Sequence, residues 1–137
     1  MDLKVIPGGV TAPLGFQGAG VHAGIKKSNK GKPDVAVIFS EIPAQVGGVF
    51  TQNRVKAAPV LFSQKVVAHG LAQAVVVNSG NANACTGLEG EETAGLMALW
   101  TAQELGINEK QVIVSSTGVI GHQLPRDIVK MGIKKAV

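Results

Sequence analysis

Apolar runs alternate with glycine-rich breaks along the chain, and each run predicts an element. Asp34 to Ser40 contains VAVIF, a β-branched strand. Gln45 to Thr51 and Val60 to Phe62 are shorter apolar pieces broken by Gly47-Gly48 and Pro59, and they read as neighbouring strands. Ser63 is placed to cap a short helix, SQKVVAH, which Gly70 ends. Ala74 to Val77 is a buried strand that gives way to small and amide-bearing residues, AVVVNSGNANACTG up to Gly87. Thr86 and Glu89 have capping-box spacing, with Glu91 and Glu92 adding negative charge nearby, so a helix begins near Gly87. Ala94, Met97, Ala98, Ala102 and Leu105 then recur at helical spacing before Gly106. Gln111 to Val114 is the next strand, and Pro125 opens a last helix with Ile128, Val129, Ile133 and Val137 on its inner side.

Composition narrows the function classes. The 137 residues fit one domain, and the 45% apolar content is enough for a core. Eighteen glycines with no tyrosine and one tryptophan mean that close backbone packing shapes the fold more than aromatic anchoring does. The net charge of +4 is densest at Lys26, Lys27, Lys30 and Lys32, in a turn-like stretch without interleaved aromatics, which argues against nucleic-acid binding. The single cysteine, Cys85, excludes an internal disulfide, gives no metal-ligand spacing, and fits a reducing cytoplasm. No apolar run is long enough to cross a bilayer, so a soluble protein is expected.

The chemistry-bearing stretches are two strand endings with one grammar. Asn78, Gly80, Asn81 and Asn83 follow the first apolar run, and each tolerates backbone conformations that bulkier residues avoid. In the second, VIVSSTGVIG from Val112 to Gly121, hydroxyl residues and glycines again follow β-branched ones. Two such endings suggest one shared crevice. Gly18 to Ala23 matches the G-x-G-x-x-A form of the dinucleotide fingerprint, but no convincing strand precedes it and Lys26 to Pro33 interrupts the helix that should follow. Gly31-Lys32 has the wrong spacing for a phosphate-binding P-loop, and Pro33 stands where Ser or Thr should be. The asparagines of Asn78 to Asn83 either shape the crevice through amide hydrogen bonds or satisfy backbone groups in a buried turn, the latter being favoured, and Cys85 is read as a small buried residue, since His22, His69 and His122 are scattered.

Four segments carry a family resemblance: GVTAPLGFQGAGVHAGIK from Gly9 to Lys26, GGVFTQNRVKAAPV from Gly47 to Val60, VVVNSGNANACTG from Val75 to Gly87, and SSTGVIG from Ser115 to Gly121. The chain resembles the N-terminal part of the α chain of the bifunctional ornithine acetyltransferase/N-acetylglutamate synthase family. The resemblance implies an α/β fold, a layered mixed sheet with covering helices, in a single domain over residues 1–137. It implies an enzyme of arginine biosynthesis that moves acetyl from N-acetylornithine to glutamate, some members also accepting acetyl-CoA. No other cofactor and no metal is implied. Family members cut themselves before a threonine, which then acts as the nucleophile and forms an acetyl-enzyme, its freed amine serving as base.

Thr117-Gly118 matches the family's oxyanion-hole pair, a hydroxyl and an N–H that meet the charge growing on the attacked carbonyl oxygen. On spacing alone the same residues read as a plain turn after a strand; the resemblance reverses that ranking. No threonine here matches the nucleophile's motif, and Val137 falls several dozen residues before the family's self-cleavage junction. The expected partners are therefore the missing C-terminal α segment and the β chain, in an αβ hetero-oligomer of the cytoplasm, and the isolated chain is expected to be inactive. The competing readings are a non-catalytic binding module or orphan fragment, a nucleotide binder through Gly18 to Ala23, and a Cys85-dependent hydrolase.

Overall fold

The computed structural model describes residues 4–26 and 31–137. Lys27 and Lys30, half of the lysine cluster, lie outside the described residues. The elements run β1 (Phe16–Val21), β2 (Val35–Gln45), α1 (Ala58–Ala68), β3 (Leu71–Asn81), α2 (Gly87–Leu105), β4 (Val112–Val119) and α3 (Arg126–Ala136), with one 3₁₀ turn at Glu109–Gln111. The four strands form one mixed sheet in the order β1-β2-β3-β4. The first two pairings are antiparallel and β3 runs parallel to β4, with α2 as the crossover.

Alternation along the strands decides which face is covered. Val35 and Val37 of β2, Ala74 and Val76 of β3, and Val112 and Val114 of β4 are buried together with Ala94, Met97, Ala98 and Ala102 of α2 and Val129 and Ile133 of α3. This core has the α/β character expected, a mixed sheet with helices on it. Gly132 lets α3 lie close, for a Cβ there would come within 2.8 Å of Val35 Cγ2. Arg126 ties α3 to α2 through Thr93 Oγ1 at 2.9 Å and Glu92 Oε2 at 2.7 Å. The opposite face, with Ile38, Val75, Val77 and Ile113, is half-buried and carries no helix.

Several local expectations are corrected. Val60 to Phe62 is not a strand but the first turns of α1, which starts at Ala58 with Pro59 in its first turn. Of Gln45 to Thr51, the strand β2 keeps Gln45 alone and the rest is irregular. Ser63 does not cap a helix; it sits buried inside α1. The apolar stretch there belongs to a helix wedged against β4, and a short apolar run cannot by itself distinguish the two elements. Thr86 and Glu89 form no capping box, because the Thr86 hydroxyl donates to Asn83 Oδ1 at 2.8 Å. Helix α2 nevertheless starts at Gly87 and ends at Gly106 in the left-handed conformation. Val137 stands half-exposed past the end of α3. Gly18 and Gly20 lie within strand β1, paired to β2, and not in a loop leading to a helix, which removes the geometry of a dinucleotide site.

Candidate functional site

Both strands of the parallel pair continue beyond the apolar runs that announced them. Strand β3 extends through Asn81, and β4 through Val119, so Asn78 to Asn81 and Ser115 to Gly118 are strand, not turn. Parallel pairing sets their ends side by side, with Asn78 opposite Ser116, Ser79 opposite Thr117, and Gly80 opposite Gly118. The connectors stay together past the strands: Ala82 N–H donates to the Val119 carbonyl at 2.9 Å, and Gly121 N–H to the Ala84 carbonyl at 2.9 Å. The two endings therefore share one place, as neighbours in a ladder and not as walls of a crevice.

The asparagines build this end. Asn78 and Asn83 are fully buried. Asn78 Nδ2 donates to the Asn81 carbonyl at 3.0 Å, Asn81 Nδ2 to the Gln123 carbonyl at 2.8 Å, and Asn83 Nδ2 to the Gly90 carbonyl at 2.8 Å. These bonds stitch β3 to the connector after β4 and to the first turn of α2. Asn83 and Cys85 both have positive φ, 49° and 56°, which an asparagine tolerates better than a cysteine does. Cys85 is exposed and not buried as its size suggested, in the turn just before α2. It lines a cleft of about 600 Å³ together with Arg54, Lys56 and Glu91, a lining to which Thr117 and Gly118 do not belong. Among the described residues no group of three or more His, Cys, Asp and Glu side chains could hold a metal ion.

Thr117 and Gly118 are exposed at the end of β4, which is the last strand of the sheet. Their orientation follows from two anchors. Ser63 Oγ, reaching from α1, donates to the Val114 carbonyl at 2.7 Å and accepts from the Val114 N–H at 3.0 Å, so both backbone groups of Val114 point away from β3. In a parallel strand the two backbone groups of one residue point to the same side, and the side alternates with each residue. Regular alternation carried along β4 would turn the N–H groups of Ser116 and Gly118 to the open edge, and Val119 turns its carbonyl toward the β3 side, where Ala82 meets it. Side chains alternate across the sheet as well: Val112 and Val114 face the helices, so Thr117 stands with Ile113 and Ser115 on the helix-free face. The Thr117 side chain and the Gly118 backbone are thus exposed next to each other at the end of the edge strand. A hydroxyl and an N–H can stabilise an oxygen that gains negative charge.

Beneath this strand end the backbones approach closely. Gly118 has φ of +134°, and a Cβ placed there would fall on the Gly80 carbonyl. Among the described residues two buried side-chain polar atoms, Asn78 Oδ1 and Ser116 Oγ, have no hydrogen-bond partner, and their residues are opposite each other two positions earlier in the same ladder. Asp34 is a contributor that the sequence reading missed. Its fully buried carboxylate accepts from the N–H groups of Ala23 at 2.6 Å, Gly24 at 3.0 Å and Ile25 at 2.9 Å. An acidic residue at the start of an apolar strand was the available signal, since charge is rare at a buried position unless it is paired.

The ArgJ family model matches residues 17–137. The chain belongs to the ArgJ family. It is 51% identical over 134 residues to an arginine biosynthesis bifunctional protein ArgJ from Symbiobacterium thermophilum, covering 98% of this chain and 33% of that protein. The protein of the same name from Caldanaerobacter subterraneus is 50% identical, again over 98% of this chain and 32% of its own length. The chain thus spans about a third of the curated relatives it matches. Among solved structures, the ArgJ protein of Bacillus halodurans superposes with a TM-score of 0.88 at 43% identity, over 93% of this chain and 66% of that one. An ornithine acetyltransferase from Mycobacterium tuberculosis, solved with ornithine, gives 0.89 at 46% identity, over 93% of this chain and 68% of that one. These ArgJ neighbours carry the same layered α/β arrangement.

Proposed function

We propose that this chain is the N-terminal α-chain portion of an arginine-biosynthesis acetyltransferase that moves acetyl from N-acetylornithine to glutamate through an acetyl-threonine intermediate. Family membership and the ArgJ relatives support the pathway, and the Mycobacterium tuberculosis ornithine acetyltransferase supports the substrate class. In this reading residues 1–137 form one domain, acetyl-CoA is a second acetyl source, and the remaining α segment and the β chain complete an αβ hetero-oligomer in the cytoplasm. Among the described residues no helix is long and apolar enough to cross a membrane.

What supports the reading is that Thr117 and Gly118 are exposed side by side at the end of the edge strand β4, where the alternation that starts from Val114 would turn the Gly118 N–H away from β3. When a nucleophile adds to the acetyl carbonyl, the oxygen becomes negative and these donors bind it more tightly than they bind the substrate's carbonyl, which lowers the barrier. The nucleophile comes from another segment, because no threonine of this chain carries that role.

The test uses the chain completed with the remaining length of a relative. Thr117→Ala should lower kcat by roughly a hundred- to a thousandfold, the usual loss for one such donor, with KM for N-acetylornithine little changed. The isolated chain should show no transfer from N-acetylornithine to glutamate. Unchanged kcat in the variant, or turnover by the isolated chain, would remove the assigned role.

A further inference from the structure

We infer that Asp34 is a positioning residue for the Gly118 amide, acting through Ile25 and Gly80; this rests on the reading of Thr117 and Gly118 as donors to a carbonyl oxygen. The contacts form a short series. Gly118 and Gly80 touch backbone to backbone, with no room for a side chain on Gly118. Gly80 itself has φ of +125°, and on its other side Ile25 Cγ2 lies 2.8 Å from where a Cβ would stand. Gly118 is backed by Gly80, and Gly80 by Ile25.

Asp34 grips what lies on both sides of Gly80. Its carboxylate collects the N–H groups of Ala23, Gly24 and Ile25, which closes the turn that carries the Ile25 side chain. Its backbone carbonyl accepts from Ser79 N–H at 2.8 Å, one residue before Gly80 in β3. A single residue thereby fixes the separation between the Ile25 side chain and the β3 backbone. If that separation relaxes, Gly80 moves and the Gly118 N–H turns away from the place where the oxygen charge develops. A misplacement of about 1 Å at such a donor can cost roughly a hundredfold in rate.

The experiment uses the chain completed with the remaining length of a relative and compares Asp34→Asn, Ile25→Ala and Thr117→Ala, alone and combined. Asp34→Asn keeps the size of the side chain but turns an NH₂ toward N–H groups that need an acceptor. Ile25→Ala leaves the carboxylate intact and removes the backing of Gly80 together with some core packing, so, read per folded molecule, it serves if Asp34→Asn does not fold. Per folded molecule, Asp34→Asn should lower kcat about ten- to a hundredfold and Ile25→Ala less, both with KM for N-acetylornithine within about twofold of the parent. Asp34→Asn combined with Thr117→Ala should lose less than the product of the two single effects, since both spoil one pair of donors. Parental kcat in Ile25→Ala and in folded Asp34→Asn, while Thr117→Ala is impaired, overturns the role of Asp34 and leaves the donor reading intact. Parental kcat in Thr117→Ala overturns the donor reading, and the role of Asp34 with it.

Discussion

Asp34 shows how a single side chain connects ionisation to structure. Burial pushes its carboxyl toward protonation, yet the N–H donors of Ala23, Gly24, Ile25 and Lys26 together outweigh that and hold its pKa below the ordinary value. A carboxyl whose folded pKa is depressed contributes stability above its unfolded pKa, near 3.9, and loses it as pH falls through the folded value. Between about pH 5 and 8 the parent should therefore be more stable than Asp34→Asn, by about 1–3 kcal/mol for buried N–H groups left without acceptors. The gap should narrow steadily on acidification below about pH 4, where the parent's own carboxylate is neutralised. Urea midpoints of both proteins measured across that range check this, and a gap independent of pH would mean that the ionised carboxylate is not what holds the turn. Little of this was readable beforehand. Pro33-Asp34 looks like the approach to a strand, and the N–H donors converge on the carboxylate only after the chain turns back between Val21 and Val35.

At the level of elements, helix α2 separates what a local pattern can predict from what packing decides. Its apolar stripe and its end at Gly106 followed from spacing and glycine placement, because those features act within a turn or two of the chain, whereas its start at Gly87 is where the spacing put it but without the capping box that spacing implied. The glycines inside it are another matter. Gly95 has open space where a Cβ would go, so Gly95→Ala should stabilise by about 0.5–1 kcal/mol, the ordinary helical gain. At Gly90 a Cβ would meet the Thr86 hydroxyl and come within 2.6 Å of Asn83 Oδ1, the pair that organises the turn before the helix. Gly90→Ala should therefore destabilise by more than that gain, about 1–3 kcal/mol as in overpacking. Thermal unfolding of the two variants gives opposite signs if this packing is right, and stabilisation by both would contradict it. The same distinction explains why the first turns of α1, Val60 to Phe62, read as a strand although Ser63 to His69 read as a helix. Its apolar residues touch β4 and α2, and Ser63, whose position suggested a cap, instead supplies the edge of β4 with hydrogen bonds that no local sequence rule foresees. The Thr117-Gly118 step drew notice through family resemblance alone, and no local pattern showed that it would stand at the exposed end of an edge strand.

For the molecule as a whole, the three helices do not surround the sheet. Val75 and Val77 sit on neighbouring same-face positions of β3, flanked by Ile38 in β2 and Ile113 in β4, and all four are half-buried. Apolar side chains contiguous across three strands form the kind of patch that soluble monomers seldom leave in water. The two sheet borders differ in how they meet solvent: Ser63 and α1 occupy β4 at Val114, so pairing of a second copy along that strand is obstructed there. If chains associate, burial of the helix-free face is accordingly the stronger drive, worth roughly 25 cal/mol for each Å² of apolar surface removed from water. Sedimentation of the isolated chain should show mass-dependent self-association that weakens when Val75→Lys places a charge at the centre of the patch, with helix content by circular dichroism unchanged. The charge has this effect only if association desolvates the face, since an ammonium held in water loses nothing. A strictly monomeric parent, or association insensitive to Val75→Lys, would locate the adhesive surface elsewhere.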